Sequence, residues 1–452
     1  MAAPFDAAAF WATADQYLMK TGMPFLDTVI RSAKGSILYD VNGKELIDFT
    51  SGQMSSLLGH SHPEIVEVVN SSIGQLDHIM SLMICEPVVQ FAETLGKVLP
   101  APLQKSFLLS TGSESVEAAI KISKCATGKF EIVAFANSYH GVTSGAASAT
   151  YAIGRSRGGP VMPGQISFPS PNAFRSVFRK QGENGATDSV STYDWETEMA
   201  WGWDMVDTQS VGSLAAFVVE PILSAGGIFE PPPGYMLKLA EECKKRGMLL
   251  IADEAQTGLG RTGDLFAFQR DGIVPDILAL SKTIGCGLPV ASVSTTPEIE
   301  KLAAAGGYLW VTTHYNDPLL AAVGSKVIEI VVRDDLSAWA KARGEQLLEG
   351  MRKLQEKYWV IGDIRGRGLL LGMEIITDKV LKTPGVDLSI ALSMAAMEMG
   401  LSCQVVAHPG ACGVFRLAPP INITIAETEQ GLDILERAFA KVFSEEPYKS
   451  LL

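Results

Sequence analysis

The sequence contains no pair of cysteines spaced as C-x-x-C. Its six cysteines, Cys85, Cys125, Cys243, Cys286, Cys403 and Cys412, are scattered through 452 residues. That spacing argues against a zinc site or a disulfide framework and fits a reduced, intracellular setting. Positive charge is also in short supply: 37 Lys and Arg stand against 50 Asp and Glu, a formal charge of −13, which argues against a nucleic-acid partner. No apolar run reaches the length of a membrane span, and the start, MAAPFDAAAFWATADQYL, lacks the basic region and apolar core of an export signal. The expectation is a cytoplasmic protein with no membrane partner. Tandem repeats, low-complexity tails and a G-x-x-x-x-G-K-[ST] phosphate loop are all missing. The match to G-x-G-x-x-G at Gly258–Gly263 lacks the long helix and later ribose acid that a dinucleotide site needs.

What the chain does have is a 47% hydrophobic content arranged as short apolar runs alternating with helical periodicity. Phe107–Thr111, Glu131–Ala136, Ala215–Glu220, Leu249–Ala252 and Pro275–Leu280 read as buried strands. Gly112–Lys124, Leu237–Arg246 and Leu319–Val332 read as helices, which predicts a doubly wound α/β unit from about residue 60 to 320. Phe5–Lys20 reads as a helix, Gly35–Phe49 as a hairpin turning at Val41-Asn42-Gly43, Asp363–Ile376 as strands and Glu427–Phe443 as a helix. Segments 1–60 and 321–452 are expected to form one small α+β domain from the two chain ends, with 61–320 as the large domain. Arg155–Ala200 reads as a surface excursion. His60 and His62, flanking the start of a helix at Pro63, read as capping or packing residues because no third ligand accompanies them.

Two strand ends carry chemistry. Leu249–Ala252 delivers Asp253 and Glu254 at its tip, and Pro275–Leu280 ends at Ser281-Lys282. A sheet that places an acid and a lysine at one functional edge would partly desolvate the lysine and lower its pKa, making it able to capture an aldehyde. Pyridoxal 5′-phosphate needs that pair: a lysine for its aldehyde and a carboxylate for its pyridine nitrogen. The alternative is two ordinary strand-end charges. Thr111-Gly112-Ser113, between a strand and a helix, reads as a phosphate cradle at a helix N-terminus. Tyr139, at the end of another strand, could stack on a flat ring or fill the core.

The order D-E-A-Q-T-G-L-G-R-T-G followed by S-K-T-I-G-C-G-L-P resembles the signature of class III aminotransferases. FTSGQMSSLLGHSHPEI, LLSTGSESVEAAIK, SYHG, EPILSAGG, TTHYNDPL and VFRLAPP extend the resemblance over almost the whole chain. It implies a fold type I architecture: a large doubly wound mixed α/β domain and a small α+β domain. It also implies that Lys282 holds the cofactor and moves protons, that Asp253 holds the pyridinium, that Gln256 bonds the ring oxygen and that Thr111, Gly112 and Ser113 hold the phosphate. Thr313 would reach the phosphate of a partner subunit, so a homodimer or dimer of dimers with a shared site is implied. Arg416 would clamp a substrate carboxylate. An alkali-metal ion, potassium or sodium, would be held by Ser81 and Asp317 with the carbonyls of Ile79, Thr313 and Tyr315.

Within the family, Gln53 in Ser51-Gly52-Gln53-Met54 and Arg416 in G-V-F-R-L-A-P-P most resemble the branch of 2,2-dialkylglycine decarboxylases. That implies decarboxylation of a quaternary amino acid to a ketone and carbon dioxide, coupled to amino transfer to a 2-oxo acid such as pyruvate. The alternatives are a plain aminotransferase, a racemase, or a cofactor-binding regulatory protein. Tyr139 stands where that branch has tryptophan, Val142 where methionine is expected, Ala225 where serine is expected and Val311 where tyrosine is expected. These departures imply a reshaped, more apolar or larger substrate pocket.

Overall fold

In the computed structural model of the chain, which describes residues 5–152, 159–180, 191–406 and 413–451, seven strands form the central sheet. From one edge to the other they are Lys105–Leu109, Ala291–Thr295, Ile277–Leu280, Leu249–Asp253, Leu214–Val219, Glu131–Phe135 and Gln165–Phe168. Glu131–Phe135, Leu214–Val219, Leu249–Asp253 and Ile277–Leu280 run parallel to their neighbours in that series, and every residue of Glu131–Phe135 and Leu214–Val219 is buried. Such runs are strands covered on both faces, so no polar alternation shows in their sequence. Ala291–Thr295 runs antiparallel to both its neighbours. The chain reverses into it through a short turn after Lys282 rather than through a crossover helix.

The consequence is geometric. All strands except Ala291–Thr295 end at one edge of the sheet, so the segments that follow Leu109, Phe135, Val219, Asp253 and Leu280 converge there. The two faces differ in bulk. On one, Phe135, Phe168, Phe217 and Trp203 pack edge-to-face or tilted, with ring centroids 5.1–6.0 Å apart. Rings of this size each contribute roughly 1.5–3 kcal/mol on burial. On the other, Ala134, Ala216 and Ala279 meet Ala118, Ala119 and Val116 of the helix Gly112–Thr127. Small residues on both partners let that helix approach closely.

Most expected elements are present with ends displaced by a few residues. The Arg155–Ala200 excursion falls partly outside the described residues. Its described part is more regular than a surface loop: Gln165–Phe168 adds to the sheet edge, and the helix Trp195–Gln209 begins under a cap in which Asp194 accepts from Thr197 N–H. Gln404–Val406, Val414–Leu417, Leu370–Ile375 and Ile361–Arg367 form a second sheet, with Arg416 directly across from Gln404. A third sheet pairs the N-terminal strand Glu45–Asp48 with Leu401–Ser402, joining the two ends of the chain. Among the described residues no helix is long and apolar enough to cross a membrane.

Candidate active site

A cavity of about 380 Å³ opens at the convergent sheet edge. Its wall includes Thr111, Gly112, Ser113, Tyr139, Asp253 and Lys282, so six of the expected site residues meet in one chain. The helix Gly112–Thr127 points its N-terminus into the cavity. Thr111 caps it: Thr111 Oγ1 accepts from Glu114 N–H, and the Glu114 carboxylate accepts from Thr111 N–H at 3.1 Å. The caps satisfy some of the orphan N–H groups, and the first turn carries the positive end of the helix dipole.

The backbone has little slack here. A Cβ on Gly112 would lie 2.6 Å from Ser281 Oγ, and one on Gly141 would lie 2.5 Å from Ser113 Oγ. Ser281 Oγ is buried without a hydrogen-bond partner among the described residues. A helix N-terminus lined by glycine and hydroxyls, with an unsatisfied hydroxyl beside it, suits a phosphate monoester. The residues present therefore fit pyridoxal 5′-phosphate on the phosphate side.

Lys282 brings an amine to the cavity wall. It begins a short 3₁₀ turn, Lys282–Gly285, with φ of 39°, a left-handed conformation uncommon for a side-chain-bearing residue. Ser55 Oγ clips that turn, bonding Lys282 O at 3.3 Å and accepting from Gly287 N–H at 3.2 Å. Among the described residues the Lys282 ammonium makes no hydrogen bond or ion pair. Burial lowers its pKa below the ordinary lysine value, opposed by Asp253 and reinforced by Arg416. Asp253 is buried and accepts from Ala255 N–H at 3.1 Å, and its other oxygen meets His140 Nδ1 at 2.8 Å.

The remaining expected residues divide. Gln256 and Arg416 are buried behind the cavity wall and connected through Ser224. Ser224 Oγ donates to Gln256 Oε1 at 2.6 Å, and Arg416 Nη1 reaches Ser224 Oγ at 3.4 Å. Burial pushes the Arg416 pKa down to about 10, opposed by Glu220, and pushes the Glu220 carboxyl up to about 7. Gln53 and Thr313 are exposed and outside the cavity wall. Gln53 sits on a turn whose Ser51 and Met54 have φ of 48° and 62°. Asp48 anchors that turn, accepting from Gly52 N–H at 2.8 Å and meeting His60 Nε2 at 2.7 Å. The fully buried Arg261 donates to Ser51 Oγ from below.

At the expected alkali-metal position, the Asp317 carboxylate is engaged by imidazoles: His78 Nδ1 at 2.6 Å and His314 Nδ1 at 2.8 Å. Ser81 Oγ donates to Thr312 O at 3.2 Å, and among the described residues Ile79, Thr313 and Tyr315 make no hydrogen bond with the Asp317 carboxylate. His60 is a hydrogen-bond partner of Asp48, while His62 occupies a helix N-cap position without a side-chain capping bond. His140, Glu220, Ser224, Ser281 and Gln404 join the site unannounced. Ser281 adjoins Lys282 in sequence and Glu220 ends a strand, which are signals of position. The partner of His140 lies 113 residues away, beyond any local pattern.

The profile of the aminotransferase class-III family matches residues 18–439. An uncharacterized aminotransferase of Schizosaccharomyces pombe is 45% identical over 442 residues, covering 97% of each chain. The 5-aminovalerate aminotransferase of Pseudomonas putida is 34% identical over 424 residues, covering 92% of this chain and 94% of its own. Among solved structures, an (S)-enantioselective omega-transaminase from Thermomicrobium roseum superposes with a TM-score of 0.87 at 27% identity, covering 97% of this chain and 99% of its own.

Proposed function

The chain belongs to the class-III aminotransferase family, and from that premise we propose that it moves the amino group of an α-amino acid to a 2-oxo acid, with Lys282 as the proton carrier. The fold is the fold type I architecture of this family, and its members are enzymes that use pyridoxal 5′-phosphate. The bound cofactor supplies an electron sink for charge that develops at the substrate's Cα.

The observation that carries the reading is the Lys282 amine, lining the cavity with no ion-pair partner among the described residues and a lowered pKa. A neutral amine close to the reacting carbon accepts its proton and returns it, work worth about 10²–10⁴-fold in rate. Asp253 would hold the proton on the ring nitrogen, and His140 fixes the orientation of that carboxylate. The first turn of Gly112–Thr127, with Thr111 and Ser113, would hold the phosphate. Tyr139 would cover the ring, and Gln256, whose Oε1 accepts from Ser224, keeps its N–H groups to offer the ring oxygen. Arg416 binds the substrate carboxylate.

Thr313 serves the phosphate of a second copy of the chain, which agrees with its exposure and its place outside its own cavity wall. The site shared in this way makes a dimer the working unit.

Decarboxylation of quaternary amino acids rests on the resemblance at Gln53 and Arg416. The relatives named above are aminotransferases and a transaminase, which favours plain amino transfer. A panel of tertiary and quaternary amino acids with pyruvate tests this, scored separately for new amino acid, ketone and carbon dioxide. The expected result is amino transfer from tertiary donors without carbon dioxide. Carbon dioxide and ketone released together from 2-aminoisobutyrate would overturn it in favour of the decarboxylating reading.

A further inference from the structure

Arg416 is a buried cation in neutral company. Its strand, Val414–Leu417, is buried at every residue, and antiparallel register sets Gln404 directly across from it. Arg416 Nη2 donates to Gln404 Oε1, and Nη1 reaches Ser224 Oγ at 3.4 Å. The Nε group is buried with no partner among the described residues. Among those residues Arg416 makes no ion pair. Glu220, the acid that acts on it most, is committed elsewhere: Oε1 accepts from Tyr139 N–H at 2.9 Å and Oε2 from Ser224 N–H at 3.1 Å. Ser224 has one proton, and it goes to Gln256 at 2.6 Å, so Ser224 can face the guanidinium only as an acceptor.

A guanidinium taken out of water needs an anion, and leaving it with neutral acceptors alone is unfavourable until one arrives. An internal carboxylate at the place of Gln404 would satisfy the cation permanently and close the receptor. The amide has the same shape and supplies an acceptor without the charge.

We propose that Gln404 is a specificity-determining residue that holds Arg416 in place from the neighbouring strand without neutralising it, so that the guanidinium is reserved for a carboxylate brought by the substrate. The pocket then selects amino donors and acceptors that carry a carboxylate beside the reacting carbon, and discriminates against simple amines and aldehydes. This inference rests on the amino-transfer reading above and names the substrate class of that same site. Gln404 acts through Arg416 and is a positioning residue.

The test compares Gln404→Glu and Gln404→Met with the wild-type, cofactor-loaded enzyme. Calorimetry with isobutyrate, a carboxylate that cannot react, reads the receptor without turnover. Gln404→Glu is expected to weaken isobutyrate at pH 8 by about 30-fold or more and to raise KM for alanine and pyruvate in step, with kcat changed less than about threefold. Its kcat/KM for sec-butylamine, which has no carboxylate, should stay near the wild-type value. The weakening should shrink as pH falls and the introduced carboxyl takes up a proton, a profile that a packing role would not produce. Gln404→Met removes the acceptor without adding charge and should weaken isobutyrate by only about three- to tenfold.

Three results overturn the inference: no isobutyrate binding by the wild type, unchanged affinity in Gln404→Glu, or equal weakening in both variants. If the wild type binds isobutyrate but transfers no amino group from any amino acid, the amino-transfer reading fails while the receptor stands.

Discussion

The floor and the rim of the cavity are built differently. The floor, from Thr111–Ser113 through Tyr139 and Asp253 to Lys282, comes from strand ends of one sheet, and a single chain assembles it completely. Around it, outside the cavity wall, the chain leaves exposed residues: Val142, which follows Gly141 of the wall, is 76% exposed, Val311 72% and Leu82 83%, and Gln53 and Thr313 are exposed as well. Apolar patches of this kind mark surfaces that another molecule covers. Backbone geometry fixes the floor, whereas the rim is formed by exposed side chains. On the proposed function, the floor would carry the cofactor chemistry, and substrate choice and a second subunit would act at the rim.

The sharpest break in that comparison is at the floor. Lys282→Ala should lower kcat by about 10⁴-fold, while pyridoxal 5′-phosphate still binds through the helix N-terminus and hydroxyls. Equilibrium dialysis of the variant checks retention. Loss of cofactor and activity together would mean that the lysine, not the cradle, provides the binding.

Asp253→Asn should cost about 10³-fold in turnover by weakening charge stabilisation at the ring nitrogen, and it also allows a pH test. Asp253 raises the pKa of Lys282, and Arg416 lowers it. Uptake of cofactor by the apoprotein, which needs the neutral amine, should therefore shift to lower pH in Asp253→Asn and to higher pH in Arg416→Gln. Absorbance-detected uptake rates across pH measure both shifts, and shifts in the same direction would contradict the electrostatic account.

A smaller effect is expected below the rim. Burial raises the Asp48 carboxyl pKa, but bonds from His60, Thr50 and Gly52 outweigh that and leave it below 3.8. A carboxylate depressed in the fold stabilises it above the unfolded pKa, and that stability is lost as pH falls through the lower folded value. Asp48→Asn should cost about 2 kcal/mol near neutral pH, read from chemical denaturation. The difference from wild type should narrow only in acid, below 3.8.

The same contrast explains what could be read from the chain. The floor was legible because each of its parts carries a local signal: an apolar run ending in Asp253, another ending in Lys282, and a threonine before a small-residue helix start. The antiparallel strand Ala291–Thr295 was not, since burial on both faces erases any periodicity that would show its direction. The Ser224–Gln256–Arg416–Gln404 network was also hidden, because its members meet only through sheet register and a loop 192 residues from the arginine. Gln53 and Thr313 could be named by resemblance alone. The roles proposed for them involve groups that one chain does not contain.

The measurement that tests the division most directly is complementation between two inactive variants. Lys282→Ala damages the floor, and Thr313→Glu places a negative charge where a partner's phosphate would sit. Mixed under conditions where subunit exchange is demonstrated, they form heterodimers with one doubly damaged site and one intact site. The account expects amino-transfer activity to return on mixing, up to the share of intact sites. No recovery despite exchange, or a Thr313→Glu protein as active as wild type, would contradict a floor complete in one chain and a rim supplied by the other.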